Sequence, residues 1–228
     1  MSSPAKPNIV ALVPMRHNSE RVPGKNYREM AGKPLYAYIL NTLSAVEAIS
    51  QIVVDTDSEV IRAGVFADFP QVTLLERPEY LRAGEIPMND ILLHDTSQVP
   101  ADFYLQTHST NPLLSGASIE SAIGAFLDAY PQKDSLFSVT ELHTRLYDAD
   151  GRAINHDPSQ LLRTQDLPPV YKENSCIYLF TRRILEKHGH RIGPNPILFP
   201  ISAEEAQDID EDSDFRLAEG LITQREAK

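Results

Sequence analysis

The run Ile-Val-Ala-Leu-Val at residues 9–13 constrains the fold more than any other stretch. Five apolar residues in a row, bounded by polar sequence, predict a short strand buried on both faces. Such a strand needs further structure packed above and below it. Pro14 should end the strand, because it has no N–H to give a central ladder. A polar loop follows with Arg16, Arg21, Lys25, Arg28 and Lys33, and Pro34 is suited to the first turn of a helix. A strand that enters a basic, glycine-containing loop and then a helix is a common cradle for a polyphosphate. By composition alone a solvated loop fits equally well, and the spacing is neither that of a P-loop nor that of the dinucleotide fingerprint.

Beyond the loop, Tyr36, Ile39, Leu40, Leu43 and Val46 recur with helical period. Further strands are expected at 51–54, 72–75, 102–106 and 136–140, with helices across 87–96 and along the stripe Ile119, Ala122, Ile123, Phe126, Leu127 and Tyr130. This alternation predicts an α/β fold of βαβ units around a mostly parallel central sheet, in a single domain over residues 1–228. The rhythm breaks at 141–171, read as an inserted arm, either a β-ribbon that pairs subunits or a flap over the site. Strands at 175–181 and 197–201 and an acid-started helix at 212–222 complete the chain. Ligands of such sheets bind beyond the carboxyl ends of the strands. The loops at 16–25, 55–57 and 106–111 should therefore converge, which favours the ligand reading of the basic loop.

The formal net charge of −11 over 228 residues argues against a general nucleic-acid binder but not against a nucleotide, which needs only a local basic cluster. One cysteine, Cys176, fits a reducing compartment, and its apolar surroundings predict a buried, inert thiol. The opening octet lacks the apolar core of a leader and no run is long enough to span a membrane, so a cytoplasmic protein is expected. No His/Cys cluster has zinc spacing, and Ser109 and Ser175 have no evident triad partners. His17 and His108 lie on the expected ligand loops.

Asp208 and Asp210 are two residues apart, so on extended chain their carboxylates share a face and suit Mg²⁺, which would complete its shell with water and phosphate oxygens, although the pair taken alone fits a helix-start region better. Asp212 and Asp214 read as helix-start residues, and Asp55 with Asp57 is a rival metal pair. A basic loop and an acidic pair together point to phosphoryl or nucleotidyl transfer.

Five segments in order resemble the acylneuraminate cytidylyltransferases: Arg16 with Lys25 and Asn26, AGKPL at 31–35, VVDTDSEVI at 53–61, RTQDLPPVYKENSCIYLF at 163–180 and QDIDEDSDFRLAE at 207–219. The resemblance covers nearly the whole chain. It implies a Rossmann-like nucleotidyltransferase fold with a small dimerisation arm at 141–171, and a homodimer. The implied reaction is Mg²⁺-dependent transfer of CMP from CTP to the anomeric hydroxyl of a 3-deoxy-2-keto sugar acid. Arg16 and Lys25 would hold the triphosphate, with Arg21 supplying further charge. Asn26, Arg77 and Asn89 would belong to the nucleotide pocket, and Asp208 and Asp210 would bind the metal. Gln106 would place the sugar acid, and Arg163 would meet its carboxylate through a two-pronged fork. The chain departs from that pattern at His17-Asn18-Ser19-Glu20-Arg21, where relatives carry glycines and a lysine. That spacing is nearer to the 3-deoxy-manno-octulosonate cytidylyltransferases. THSTNPLL after Gln106 and Ser175 in place of a glycine also depart from the pattern. Another acceptor (a 3-deoxy-octulosonate or a phosphonate), another nucleotide such as GTP, and a non-catalytic nucleotide-binding protein are the alternatives.

Overall fold

The structure, a computed structural model, describes residues 6–227, so residues 1–5 of the opening octet lie outside the described residues. The first apolar run forms β1 (Ile9–Leu12), buried throughout. Ile9, Ala11 and Val13 enter one apolar layer, and Val10 and Leu12 enter the other. Pro14 does not end the pairing. The Val13 N–H donates to Val53 O at 2.9 Å and the Met15 N–H to Asp55 O at 2.8 Å. Successive residues of a strand with two parallel neighbours bond to alternate sides, so the missing N–H of Pro14 falls on the other edge.

A hairpin of β2 (Glu29–Met30) and β3 (Lys33–Pro34) follows, then α1 (Leu35–Ser44), β4 (Gln51–Thr56), α2 (Glu59–Asp68), β5 (Thr73–Glu76) and α3 (Met88–Gln98). The chain continues through β6 (Phe103–Gln106), α4 (Gly116–Ala129), β7 (Ser135–Leu142), β8 (Val170–Phe180), α5 (Arg182–His188), β9 (Pro196–Pro200) and α6 (Asp212–Glu226). The seven-stranded sheet runs β5-β4-β1-β6-β8-β7-β9, and β8 alone lies antiparallel to its neighbours. The α/β reading with a mostly parallel sheet therefore holds.

Two elements escape the hydrophobic pattern. Helix α2 turns only Ile61 and Val65 fully inward, too sparse a stripe to read. The β2–β3 hairpin turns on Ala31 (φ 44°) and Gly32 (φ 81°), the two positive angles of a tight primed turn. Pro34 caps α1 rather than entering its first turn. Between β7 and β8, residues 143–169 hold only one isolated bridge and one short 3₁₀ turn, although β7 and β8 stay paired outward to Leu142 and Val170. Ser175 sits at an irregularity of that pairing with φ 59°, the left-handed conformation a glycine adopts more readily.

A third apolar cluster fixes the geometry of the site. Val22 and Met30 from the basic loop and hairpin pack with Leu113, with Ile209 and with Phe215, Ala218 and Ile222 of α6. Arg28 adds an ion pair to Asp212 at 2.6 Å and lies 4.3 Å over the Phe215 ring, and Lys33 pairs with Glu226 at 3.0 Å. Two of the five loop cations therefore hold the C-terminal helix instead of facing a ligand.

Candidate active site

At the carboxyl ends of β1 and β6, where the strand order switches direction, lies a cleft of about 300 Å³. Arg16, Arg21, Lys25 and Asp210 line its charged end, and Ala83, Ile86, Met88 and Ile91 give it an apolar wall. One end is suited to phosphates and the other to a flat ring. Arg16 makes no salt bridge among the described residues. Gly84 lies close beside it, so a Cβ there would stand 3.2 Å from a guanidinium nitrogen.

Lys25 donates to the Ile209 carbonyl at 2.5 Å and lies 4.0 Å from Asp210 Oδ1, which also accepts from Arg21 at 2.5 Å. Burial lowers the Lys25 pKa, and Asp208 and Asp210 oppose that shift. Asn26 is buried and lines the cleft, but its amide is engaged, donating to the Arg16 carbonyl at 2.7 Å and accepting from Ser109 at 2.7 Å. It locks the two ligand loops together.

The loop at 55–57 stands behind the cleft and does not line it. Asp57 accepts from the His17 N–H at 2.7 Å, while the His17 ring contacts Ser58 Oγ at 2.7 Å and stacks on Tyr27. His17 thus anchors the loop and is not presented to substrate. Asp55 is paired through Oδ1 with Arg77, whose Nε and Nη2 both lie 2.5 Å from it. Asp55 and Asp57 are therefore not free as a metal pair. Arg77 still lines the cleft.

Asp208 and Asp210 flank the fully buried Ile209, so the expected alternation holds. Both line a second cavity of about 360 Å³ with Lys172, Asn174, Ser175 and Gln207, and Asp210 alone borders both spaces. Burial raises the Asp208 pKa, a penalty that a bound cation would relieve. Asp208 Oδ1 accepts from the Ile209 N–H at 2.9 Å, and Asp210 offers its second oxygen beside Arg21. The donor set of two hard carboxylates beside a phosphate-sized cleft fits Mg²⁺.

Three expected positions lie elsewhere. Gln106 is buried between β1 and β8, lines neither cavity, and reaches the cleft only through His108, 3.0 Å from its Nε2. His108 does line the cleft, and burial, with Arg191 and Lys25, pushes its pKa down to about 3, so it is a neutral ring. Asn89 turns its Oδ1 to the Arg191 N–H at 3.4 Å, leaving the neighbouring Met88 and Ile91 on the cleft wall. Arg163 is exposed on the 143–169 segment, forks onto Asp166 at 2.7 and 3.1 Å, and lines neither cavity. The apolar wall at 83–91 and Lys172 went unread in the sequence because neither carries periodicity or a recognisable spacing.

The model of the cytidylyltransferase family matches residues 10–219. The chain belongs to that family. A post-translational flagellin modification protein B of Campylobacter coli is 27% identical over 228 residues, covering 95% of this chain and 96% of that protein. A CMP-N,N'-diacetyllegionaminic acid synthase of Legionella pneumophila is 28% identical, covering 94% and 96%. An 8-amino-3,8-dideoxy-manno-octulosonate cytidylyltransferase of Shewanella baltica is 27% identical over 78% of this chain and 77% of its own. Among solved structures, a CMP:2-keto-3-deoxy-manno-octonic acid synthetase complexed with CTP superposes with a TM-score of 0.75 at 17% identity, covering 96% and 99% of the two chains. That likeness speaks for the nucleotidyltransferase fold. As a cytidylyltransferase, the chain is an enzyme that uses CTP, and its charged cleft lies where that fold places a ligand. Cys176 is buried and burial raises its pKa, so it is no nucleophile. No helix among the described residues is long and apolar enough to cross a membrane.

Proposed function

We propose that this cytidylyltransferase transfers CMP from CTP to the anomeric hydroxyl of a 3-deoxy-2-keto sugar acid of the nonulosonate class. The hydroxyl oxygen bonds to the α-phosphorus and gives up its proton to water, the bond from the α-phosphorus to the bridging oxygen breaks, and pyrophosphate leaves with the electron pair. The observation that carries this reading is that Asp210 is common to the nucleotide-shaped cleft and the second, polar cavity. A donor in one and an acceptor in the other would meet at the acidic pair. Arg16, Arg21 and Lys25 neutralise the triphosphate, Arg77 borders the nucleotide, and Lys172 gives the acceptor cavity a cation. Asp208 and Asp210 would hold Mg²⁺, which when bound neutralises phosphate charge. The names of the Legionella and Shewanella relatives favour a sugar acid and leave nonulosonate and octulosonate as the two classes to compare.

Pyrophosphate release measured against a panel of acids with each of the four nucleoside triphosphates tests the reading. Release should require CTP, a 3-deoxy-2-keto acid and Mg²⁺ together, and release with another triphosphate alone would overturn it. Asp208→Asn should raise the Mg²⁺ needed for half-maximal rate by about 10- to 100-fold or more, the scale on which carboxylates near a metal alter its affinity. A metal response equal to wild type would remove Asp208 from the site.

The 143–169 segment exposes Leu161 (93%), Ile154 (62%) and Tyr147 (53%). Such side chains on an arm suit burial against a second copy, so we assign the protein a homodimer. Arg163, on the same segment, reaches an acceptor only through such an association. Light scattering should return twice the chain mass, and a monomer at micromolar concentration would exclude the assignment. A CTP-using reaction and a chain with a single cysteine suit a cytoplasmic enzyme.

A further inference from the structure

Behind the cleft, Asp55, Asp95 and His94 bring ligand atoms within 4.8 Å of one another. Asp55 and Asp95 are each 1% exposed. A metal does not suit the group, because the Arg77 guanidinium already sits on Asp55 with both contacting nitrogens on Oδ1. Three carboxyl oxygens, Asp55 Oδ2 and both of Asp95, are nonetheless buried with no hydrogen-bond donor from the protein. Two bare carboxylates against one guanidinium would leave a buried, uncompensated negative charge, which proteins avoid by taking up a proton. A carboxyl oxygen of Asp95 lies within 4.8 Å of one of Asp55, with no other donor between them and water excluded by burial. One proton between them satisfies an oxygen of each and leaves a single anion for a single cation.

We propose that Asp95 is a neutral acid that donates its proton to Asp55 Oδ2, and so holds Asp55 and Arg77 in the orientation that borders the nucleotide. Asp95 is a positioning residue. It lies beside Asp55, Asp55 holds Arg77, and Arg77 lines the cleft. The proton belongs on Asp95 because Arg77 favours the ionised form of Asp55. Burial, reinforced by the Asp55 charge, pushes Asp95 up to about 8. The titratable and charged groups facing it are Asp55 on β4, Arg77 after β5 and His94 on its own helix. Arg182 of α5, which bonds the Thr96 carbonyl at 3.2 Å and pairs with Glu186, packs against the same helix.

The proposal rests on the nucleotide reading for its function but not for its proton, and the tests keep the two apart. CTP affinity measured by calorimetry at pH 7 should weaken about tenfold in Asp95→Ala, the scale of one lost buried hydrogen bond. Asp95→Asn, which keeps a donor, should restore it. Between pH 7 and pH 9.5 wild type should lose affinity faster than Asp95→Asn. Lys25 contributes the same loss to both proteins, so the difference isolates Asp95. Infrared difference spectra of wild type against Asp95→Asn should show one protonated-carboxyl stretch at pH 7 that fades as pH rises. That signal requires no nucleotide. Its absence, an Asn variant as weak as Ala, or parallel pH responses would each overturn the assignment. A present signal with no CTP binding by wild type would instead fault the nucleotide reading and the role given to Arg77.

Discussion

Lys25→Met should release pyrophosphate about 10²–10³ times more slowly than wild type, the loss typical of removing one preorganised charge from a transition state. The substitution keeps the aliphatic stem and removes the ammonium, so packing in the loop changes little. The expected effect is large because Lys25 is already in position. Its Nζ is held by the Ile209 carbonyl at 2.5 Å, and its side chain is only 13% exposed. Little conformational freedom remains to be lost when a triphosphate arrives. Burial lowers its pKa, so the free enzyme's affinity for triphosphate is present below that lowered value and is lost as pH rises through it. A bound triphosphate favours the charged form and moves the loss to higher pH. Pyrophosphate release across a pH series, at low and at saturating CTP, reads both effects. An unchanged turnover in a folded Lys25→Met protein would remove Lys25 from the reacting centre.

Arg77→Met should lower stability by about 3–5 kcal/mol, the usual result of stranding one partner of a buried ion pair. Arg77 is 3% exposed and Asp55 1%, so water cannot replace the lost partner. The Asp55 pKa, raised by burial and opposed by Arg77 in wild type, is then raised without that opposition. In the variant Asp55 is neutral in the folded chain while an unfolded aspartate stays ionised above about pH 4. The folded state therefore binds the extra proton, and stability falls as pH rises through the raised folded value. Urea midpoints at pH 5.5 and 7.5 should show the variant recovering part of its loss at the lower pH. Equal losses at both values would mean that Asp55 keeps its charge with another partner.

The sheet was legible in the sequence wherever one periodicity ran unbroken. The 9–13 run could only be a doubly covered strand, and the Ile119–Phe126 stripe could only be an amphipathic helix. The loops at 16–25 and 106–111 could be placed together because a strand-order switch separates neighbouring loops. Helix α2 and the β2–β3 hairpin were hidden for physical reasons: one buries too little, and the other depends on backbone angles that Ala31 does not advertise. The same limit applies within the site. Residue type placed Arg16, Lys25 and the Asp208–Asp210 pair, but not what each side chain was already bonded to. Asp55, Asn26 and His17 looked as available as Arg16, and pairing that arises only in three dimensions engages all three. Gln106 and Arg163 illustrate the remainder, since a sequence position does not say which wall of a strand, or which end of an arm, a side chain occupies.

The cluster of Val22, Met30, Leu113, Ile209 and Phe215 joins a segment near the start of the chain to one near its end. A ribosome completes the triphosphate loop long before it makes the acidic pair and the helix that hold it. Until residues 207–226 emerge, Arg28 and Lys33 have no anionic partners and Val22 has no cover. Prematurely terminated chains that carry every basic residue of the cleft would thus lack an assembled centre. Activity in this enzyme is a report that translation has passed α6.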